Sequence, residues 1–271
     1  MRIVQVTGAN RAALGPRIQA LEANAVYPLG RDSFRIDHGQ DYFAFFERLG
    51  ALRYFVALED GQVMAVAAAV LRRVPRLDGS SCRAWYLCDL KARPDARGRS
   101  MSILLLRHGF LRLVWRCRRA YAISMNPGDG SPNPVARLLA RFRWAPLRIA
   151  KELALFTVAP AQLAELRPTL ERHRGAWSLV SLRGKKDLVL ASTGAPMALL
   201  HLQFGAPPVD PAERVRLAQA PADAACMFCA PADDALVREL RTSAIEPMAR
   251  ATILAHRLEQ ADWRFVRTSE I

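Results

Sequence analysis

Residues 86–110 read YLCDLKARPDARGRSMSILLLRHGF, and three kinds of local structure follow one another within these 25 positions. The apolar run Ala84–Lys91 has the composition of a buried strand. Pro94 ends it, because proline has no N–H to give to a ladder. After the Arg- and Gly-rich turn, Met101, Leu104, Leu105, His108 and Leu111 recur at the 3.6-residue spacing of a helix face, which predicts a helix to about Val114. A turn between strand and helix leaves backbone N–H groups free at the helix N-terminus, where they bind phosphate. Gly98 allows close approach or a positive φ, and Arg97 and Arg99 add charge. Taken alone, this is a generic anion site that would also suit a nucleotide.

Upstream, Tyr54–Glu59 and Val63–Arg72 are β-rich runs joined by Asp60-Gly61, a strong hairpin signal. The N-terminal stretch reads as a strand, Ile3–Val6, and an amphipathic helix, Arg11–Asn24. A Pro/Gly interruption at Tyr27–Arg31 and a second short helix, Asp41–Leu49, closed by Gly50, follow. Downstream, Ala120–Met125 is a strand, and Asn133-Pro134 supplies an N-cap with proline at the first helical position for a helix to Phe142. Ile149–Val158 is a further strand. From Pro160 the pattern gives a helix (Gln162–Arg174), strands at Trp177–Leu182, Leu188–Leu190 and Leu199–Gln203, and a Pro-rich stretch. A strand at Ala225–Cys229, a helix at Asp233–Thr242, a helix or strand at Ala251–Leu258 and a closing strand at Trp263–Thr268 complete the chain. Alternating strands and helices indicate α/β organisation, divided as residues 1–158 and a smaller α/β domain at 159–271.

The chain has 271 residues, 51% hydrophobic and 24% charged, which excludes global disorder and allows a sizeable core. Its apolar runs are too short to cross a bilayer, and no signal-peptide pattern opens it, so a cytoplasmic protein without membrane contact is expected. Five cysteines, an odd number, argue against a disulfide framework. Cys226 and Cys229 form a lone C-x-x-C without a second pair or nearby His, which reads as two apolar cysteines on a buried strand and gives no metal site. The net charge of +14 is concentrated between Lys91 and Lys151, where fourteen basic residues face two acids, Asp95 and Asp129. Such a block points to an anionic ligand.

The segment resembles the acetyl-CoA site of the GNAT N-acetyltransferase superfamily, in which a strand reading roughly D/E-L-x-V-x-P-x-x-R-G-x-G-x-G leads into a helix. Asp89, Leu90, Pro94, Arg97, Gly98, Arg99, Ser100, Met101 and Ser102 stand in that order here. The hairpin VMAVAAAVLRR, the strand AYAISMN, the helix NPVARLLARFRW and the strand LRIAKELALFTV are similar to the family's flanking elements in sequence order, so the resemblance covers residues 1–158. It implies a mixed, mostly antiparallel twisted sheet flanked by helices. The cofactor would be acetyl-CoA, held at Leu90, Lys91, Ala92, Arg97, Gly98, Arg99, Ser100, Met101 and Ser102, with Asn133 against the pantetheine arm. The second half, lacking any R-G-x-G-like loop, would be a degenerate copy or an accessory domain.

The implied chemistry is direct attack of a primary amine, on a small molecule or a protein, on the thioester. Asp89 matches a position where many relatives keep a carboxylate; in a half-buried strand its pKa would be raised to suit a base. The family's usual tyrosine acid falls at Leu139, which leaves Tyr121, Ser124 or water to protonate the thiolate. The two later glycines of the loop are Ser100 and Ser102. A silent acyl-CoA sensor is one alternative. A nucleic-acid-binding protein is another, disfavoured because the basic block lacks interleaved aromatics. Dimers are frequent among the proteins it resembles, so a homodimer is conceivable. The cluster Tyr42, Phe43, Phe45, Phe46 fits an acceptor pocket or a packed helix face equally well. The five histidines match no ligand spacing, and Lys185-Lys186-Asp187 reads as a charged turn.

Overall fold

The computed structural model describes residues 1–29, 32–96, 101–205 and 210–271. Its main body is one eleven-stranded sheet. The first half contributes β1 (Arg2–Gln5), β4 (Ala51–Glu59), β5 (Gln62–Pro75), β6 (Ser81–Ala92), β7 (Ala120–Met125) and β8 (Arg148–Val158). The second contributes β9 (Trp177–Ser181), β11 (Leu199–Phe204), β12 (Arg214–Val215), β13 (Ala225–Pro231) and β14 (Ala249–His256). A separate three-stranded sheet joins β2 (Tyr27–Leu29) and β3 (Asp32–Asp37) to β10 (Asp187–Leu190). Neighbouring strands are antiparallel except for the pairs β6/β7 and β11/β13. The expected Asp-Gly hairpin forms, with Glu59 opposite Gln62 and positive φ at both turn residues, 49° at Asp60 and 75° at Gly61.

The strand order is β1-β4-β5-β6-β7-β14-β8-β13-β11-β9-β12. β14, from the last part of the chain, therefore lies between β7 and β8, and β8 lies between β14 and β13. The same run of elements occurs twice. A strand and its parallel neighbour (β6 and β7, then β11 and β13) are followed by a helix, α4 (Pro134–Ala140) or α6 (Ala235–Thr242). Each run then ends in a strand, β8 or β14, that inserts beside the other run. The chain passes residue 158 inside this continuous sheet.

Alternation within the strands separates two cores. Tyr54, Val56, Val66, Val70, Tyr86 and Tyr121 face α1 (Gly8–Ala23) and α2 (Ala44–Glu47). Phe55, Ala65, Ala67, Ala69 and Trp85 face α3 (Met101–Leu113). In the second half, α5 (Pro160–Arg174) and α6 cover Phe156, Leu179, Leu202 and Phe228. Gly50 closes α2 at φ 152°, and a Cβ there would sit 2.5 Å from the Leu71 carbonyl oxygen, so only glycine fits.

Two expectations need correction, and one left open as helix or strand is decided. Residues around Tyr27–Leu29 are strand, stabilised by pairing with β3, which pairs in turn with the distant β10. Ala249–His256 is strand throughout, because it pairs on both edges. Trp263–Thr268 is not a strand: Asp262 accepts a hydrogen bond from Arg264 N and turns the chain into a 3-10 segment, Trp263–Phe265, with a second at Thr268–Glu270. Cys226 and Cys229 lie on buried β13 as free thiols.

Candidate active site

The site is built where β6 and β7 part. Their ladder runs from Trp85/Ala120 to Leu87/Ala122 and stops, although β6 continues to Ala92 and β7 to Met125. Beyond that point the two strands present main-chain edges to each other without pairing. A bulge reinforces the departure. Val66 pairs with Lys91 and Ala68 with Cys88, so Ala67 alone faces Asp89 and Leu90. Asp89 takes φ 51°, uncommon for a non-glycine residue.

The bulge changes which side each residue faces. Cys88 packs with the α1 core, Leu90 packs with the α3 core, and the Asp89 carboxylate turns to the α1 side. There it meets the Tyr54 hydroxyl at 2.5 Å, the Tyr42 hydroxyl at 2.8 Å and Lys91 Nζ at 2.7 Å. Lys91 is also paired with Glu22 of α1, and the Tyr42 hydroxyl lies 3.2 Å from Glu22 Oε2. Both carboxylates are nearly solvent-free, at 3% exposure for Glu22 and 2% for Asp89.

This environment splits the two acids. Burial pushes Asp89 up, but the Lys91 ammonium, His38 and the hydrogen bonds outweigh it, and its pKa lies below the ordinary value. The raised value expected from the sequence is thus reversed, because the strand position is fully buried beside a cation. Glu22 is the acid held high, by burial first and by Asp89 as well, against the pull of Lys91. Burial lowers Lys91, yet Asp89 and Glu22 more than restore it, so it stays charged. Burial also lowers His38 to about 4, so it is neutral at pH 7.

On the opposite face of the sheet, a cavity of about 180 Å³ opens from the parting. Its walls include Leu90, Ser124, Val135 and Leu139 near the parting, and Ala67, Ala69 and Trp85 beneath α3. Leu139, where the sequence resemblance would put a tyrosine, is 2% exposed and apolar wall. Tyr121 does not line this cavity. It faces the α1 core, stacked on Tyr86 at 5.0 Å and edge-on to Trp263, and burial drives its hydroxyl pKa far up. A role as proton donor in the cavity does not fit that position.

No family profile matches the chain, and no curated protein matches its sequence. Solved structures do match in shape. The tandem GNAT protein from the clavulanic acid biosynthesis pathway superposes at TM-score 0.53 over 94% of this chain and 98% of its own, with 13% identity. Saccharomyces cerevisiae N-myristoyltransferase with bound myristoyl-CoA superposes at TM-score 0.54, over 94% and 82%, with 10% identity. The fold is GNAT-like.

Within this GNAT-like sheet, the residues assigned from sequence to the cofactor separate. Arg97, Gly98, Arg99 and Ser100 lie outside the described residues. Leu90 lines the cavity, and Ala92 ends the unpaired edge of β6. Lys91 sends its side chain to the other face, so only its main chain is left for a cofactor. Met101 is buried in the first turn of α3, with the partly buried Ser102 beside it. Asn133 caps α4: its Oδ1 accepts from Val135 N and Ala136 N, and its Nδ2 donates to Met125 O and Asn126 Oδ1. That side chain is fully used in fixing the end of β7 against α4.

Several site residues escaped the sequence. Glu22 follows Leu14, Ile18 and Leu21 on the buried stripe of α1, and an acid at that helical spacing was the available signal. Tyr54 sat inside an apolar run. Lys186 is not a solvated turn residue. Its Nζ donates to the main-chain oxygens of Ser269 and Ile271 and lies 4.9 Å from the Phe45 ring centroid. Burial lowers its pKa to about 8. Lys185 beside it pairs with Asp210 and Glu213 as a charged turn would. Among the described residues, no group of three or more His, Cys, Asp or Glu is placed to hold a metal, and no helix is long and apolar enough to cross a membrane.

Proposed function

We propose that the chain is an acyl-CoA-dependent N-acyltransferase, with acetyl-CoA as its simplest donor and a primary amine, on a small molecule or a protein, as acceptor. The observation that carries this reading is the parting of β6 and β7 beyond Leu87/Ala122, with an apolar cavity beside the bulge at Asp89. Unpaired strand edges offer donors and acceptors to the amides of a pantetheine arm, as an added strand would. The segment 97–102 before and at the start of α3 would take the phosphates, as the sequence resemblance implies.

In the reaction, the amine nitrogen bonds to the thioester carbon, the C–S bond breaks, and the amine proton must leave while the thiolate gains one. Main-chain N–H groups at the bulge suit the developing oxyanion. Asp89 holds the bulge in place through Tyr54, Tyr42 and Lys91. The cluster it forms with Glu22, the acid of raised pKa, is the acceptor available for the amine proton. Ser124, a residue of the cavity lining, or water would protonate the thiolate.

Calorimetric titration with CoA and acetyl-CoA, repeated on Ala122→Phe to fill the mouth of the parting, tests the binding. Thiol release with a panel of amines tests the transfer. Saturable binding lost in the variant supports the reading, whereas no binding to folded wild-type protein removes it. A silent acyl-CoA sensor is the second reading, favoured by Leu139 in the cavity wall and Tyr121 outside it. Binding without thiol release for any amine would select it.

A further inference from the structure

We infer that the deep end of this cavity takes a linear aliphatic acyl chain of about six to eight carbons, so that the preferred donor is a medium-chain acyl-CoA. The inference rests on the acyl-CoA reading above and adds the identity of the acyl group to it.

The cavity does not end where the strands part. It continues along β6 from Asp89 back to Trp85, four residues or about 13 Å at the rise of a strand. This direction leads away from the turn before α3, so it is the direction in which a group beyond the thioester would extend. An acetyl group would occupy only its entrance.

The space has a cause in the sequence. The sheet face under α3 carries Ala67, Ala69, Ala120 and Ala122, all wall residues, where other strands place large side chains. Above them α3 presents Gly109, where a Cβ would lie 3.4 Å from the Phe55 ring. Small residues on the floor and a glycine in the roof hold open a volume that close-packed interiors ordinarily fill.

The chemistry of the deep end is apolar. Trp85 Nε1 is already satisfied by the Leu113 carbonyl at 3.2 Å, and the Asp89 carboxylate is turned to the other face. Cys117, whose Sγ donates to the Arg83 carbonyl, and the exposed Arg118 also border this end, and the remaining wall of Phe55, Ala67, Ala69, Leu105 and Leu113 gives methylenes apolar contact. A dry cavity of about 150 Å³ lined by aliphatic and aromatic side chains accommodates benzene. At about 180 Å³ with its mouth included, this one is of comparable size.

The test is titration of the full chain with CoA, acetyl-CoA, octanoyl-CoA and palmitoyl-CoA, followed by calorimetry. Each buried methylene tightens binding by up to about four-fold, so octanoyl-CoA is expected to bind at least about ten-fold tighter than acetyl-CoA. Palmitoyl-CoA should add nothing further. Ala69→Leu, which fills the floor, should collapse the octanoyl-to-acetyl ratio toward one, with an unchanged melting temperature as the folding control. Octanoyl-CoA and acetyl-CoA binding equally to wild-type protein, or a ratio unaffected by Ala69→Leu, overturns the chain-length inference and leaves the acyl-CoA reading standing. Absence of binding by CoA and all three thioesters overturns both.

Discussion

Replacing Lys91 by Met tests the ion cluster that holds the bulge. The substitution keeps most of the aliphatic stem and removes the one ammonium between Glu22 and Asp89. Breaking a buried pair by removing one partner costs about 3–5 kcal/mol, because the charge left behind is uncompensated. The Tyr42 and Tyr54 hydroxyls still serve Asp89, so Glu22 is the group exposed to the loss. Its folded pKa, already above 4.5, rises further once the pull of Lys91 is gone. A carboxylate whose folded pKa exceeds its unfolded one binds more protons when folded, so the variant's deficit is full at high pH. It is relieved as pH falls through the raised value toward 4.5. Urea unfolding at pH 7.5 should therefore show a loss of about 3–5 kcal/mol, and the loss should shrink by at least about 1 kcal/mol at pH 5.5, one pKa unit being about 1.4 kcal/mol. Adding Glu22→Gln should recover part of it at pH 7.5 and remove the pH dependence. A deficit below about 1 kcal/mol that does not change with pH would refute the argument and mean that Lys91 is held by solvent.

His38 and His201 are lowered to about 4 and about 3 by burial, so the unfolded chain takes up their protons first and stability falls as pH drops from about 6.5 toward 4. Unfolding free energies from urea titrations at pH 7 and 5 should differ by about 4 kcal/mol from these two groups, and His201→Gln should remove about half of that difference. Gly50→Ala should destabilise by about 2 kcal/mol or more in the same assay, since the added Cβ meets the Leu71 carbonyl oxygen at 2.5 Å. A fragment ending at Val158 should show no cooperative melting by circular dichroism, because β7 and β8 lose the strand that separates them; a sharp transition would show that the first half folds without β14.

The elements of the first half were legible because their signals are local. The Asp-Gly hairpin, the Asn133-Pro134 helix start and the strand-turn-helix around Pro94 are each encoded within a few residues. What the sequence hid is non-local. Nothing in ALEANAV or RGKKDL shows that Glu22 and Lys186 come within electrostatic reach of Asp89 and Lys91. β3 is strand because it pairs with β10, some 150 residues later in the chain. Asp89 was found as a position but misjudged in charge state, since its pKa depends on Lys91, which shares its face two residues on, and a bulge turns both toward Glu22 and the α1 side. Tyr121 was chosen for its hydroxyl, but the alternation that buries Tyr86 places it on the wrong side of the sheet.

The exchanged strand bears directly on the cleft. An unpaired strand edge tends to close on whatever edge is nearest, and β7 beyond Ala122 faces the equally unpaired edge of β6. What holds β7 back is its other side. The ladder with β14 runs from Ala120/His256 to Met125/Ala251, the full length of β7, and Asn133 then ties the end of β7 to α4. On β6 the restraint comes from β5 and from the Asp89 cluster, which fixes the bulge at the point of departure. Each wall of the opening is thus pinned from behind, one by the second half of the chain and one by α1 and α2. The gap between them can remain unpaired because neither strand is free to move into it, and its edges keep hydrogen-bonding capacity for a ligand.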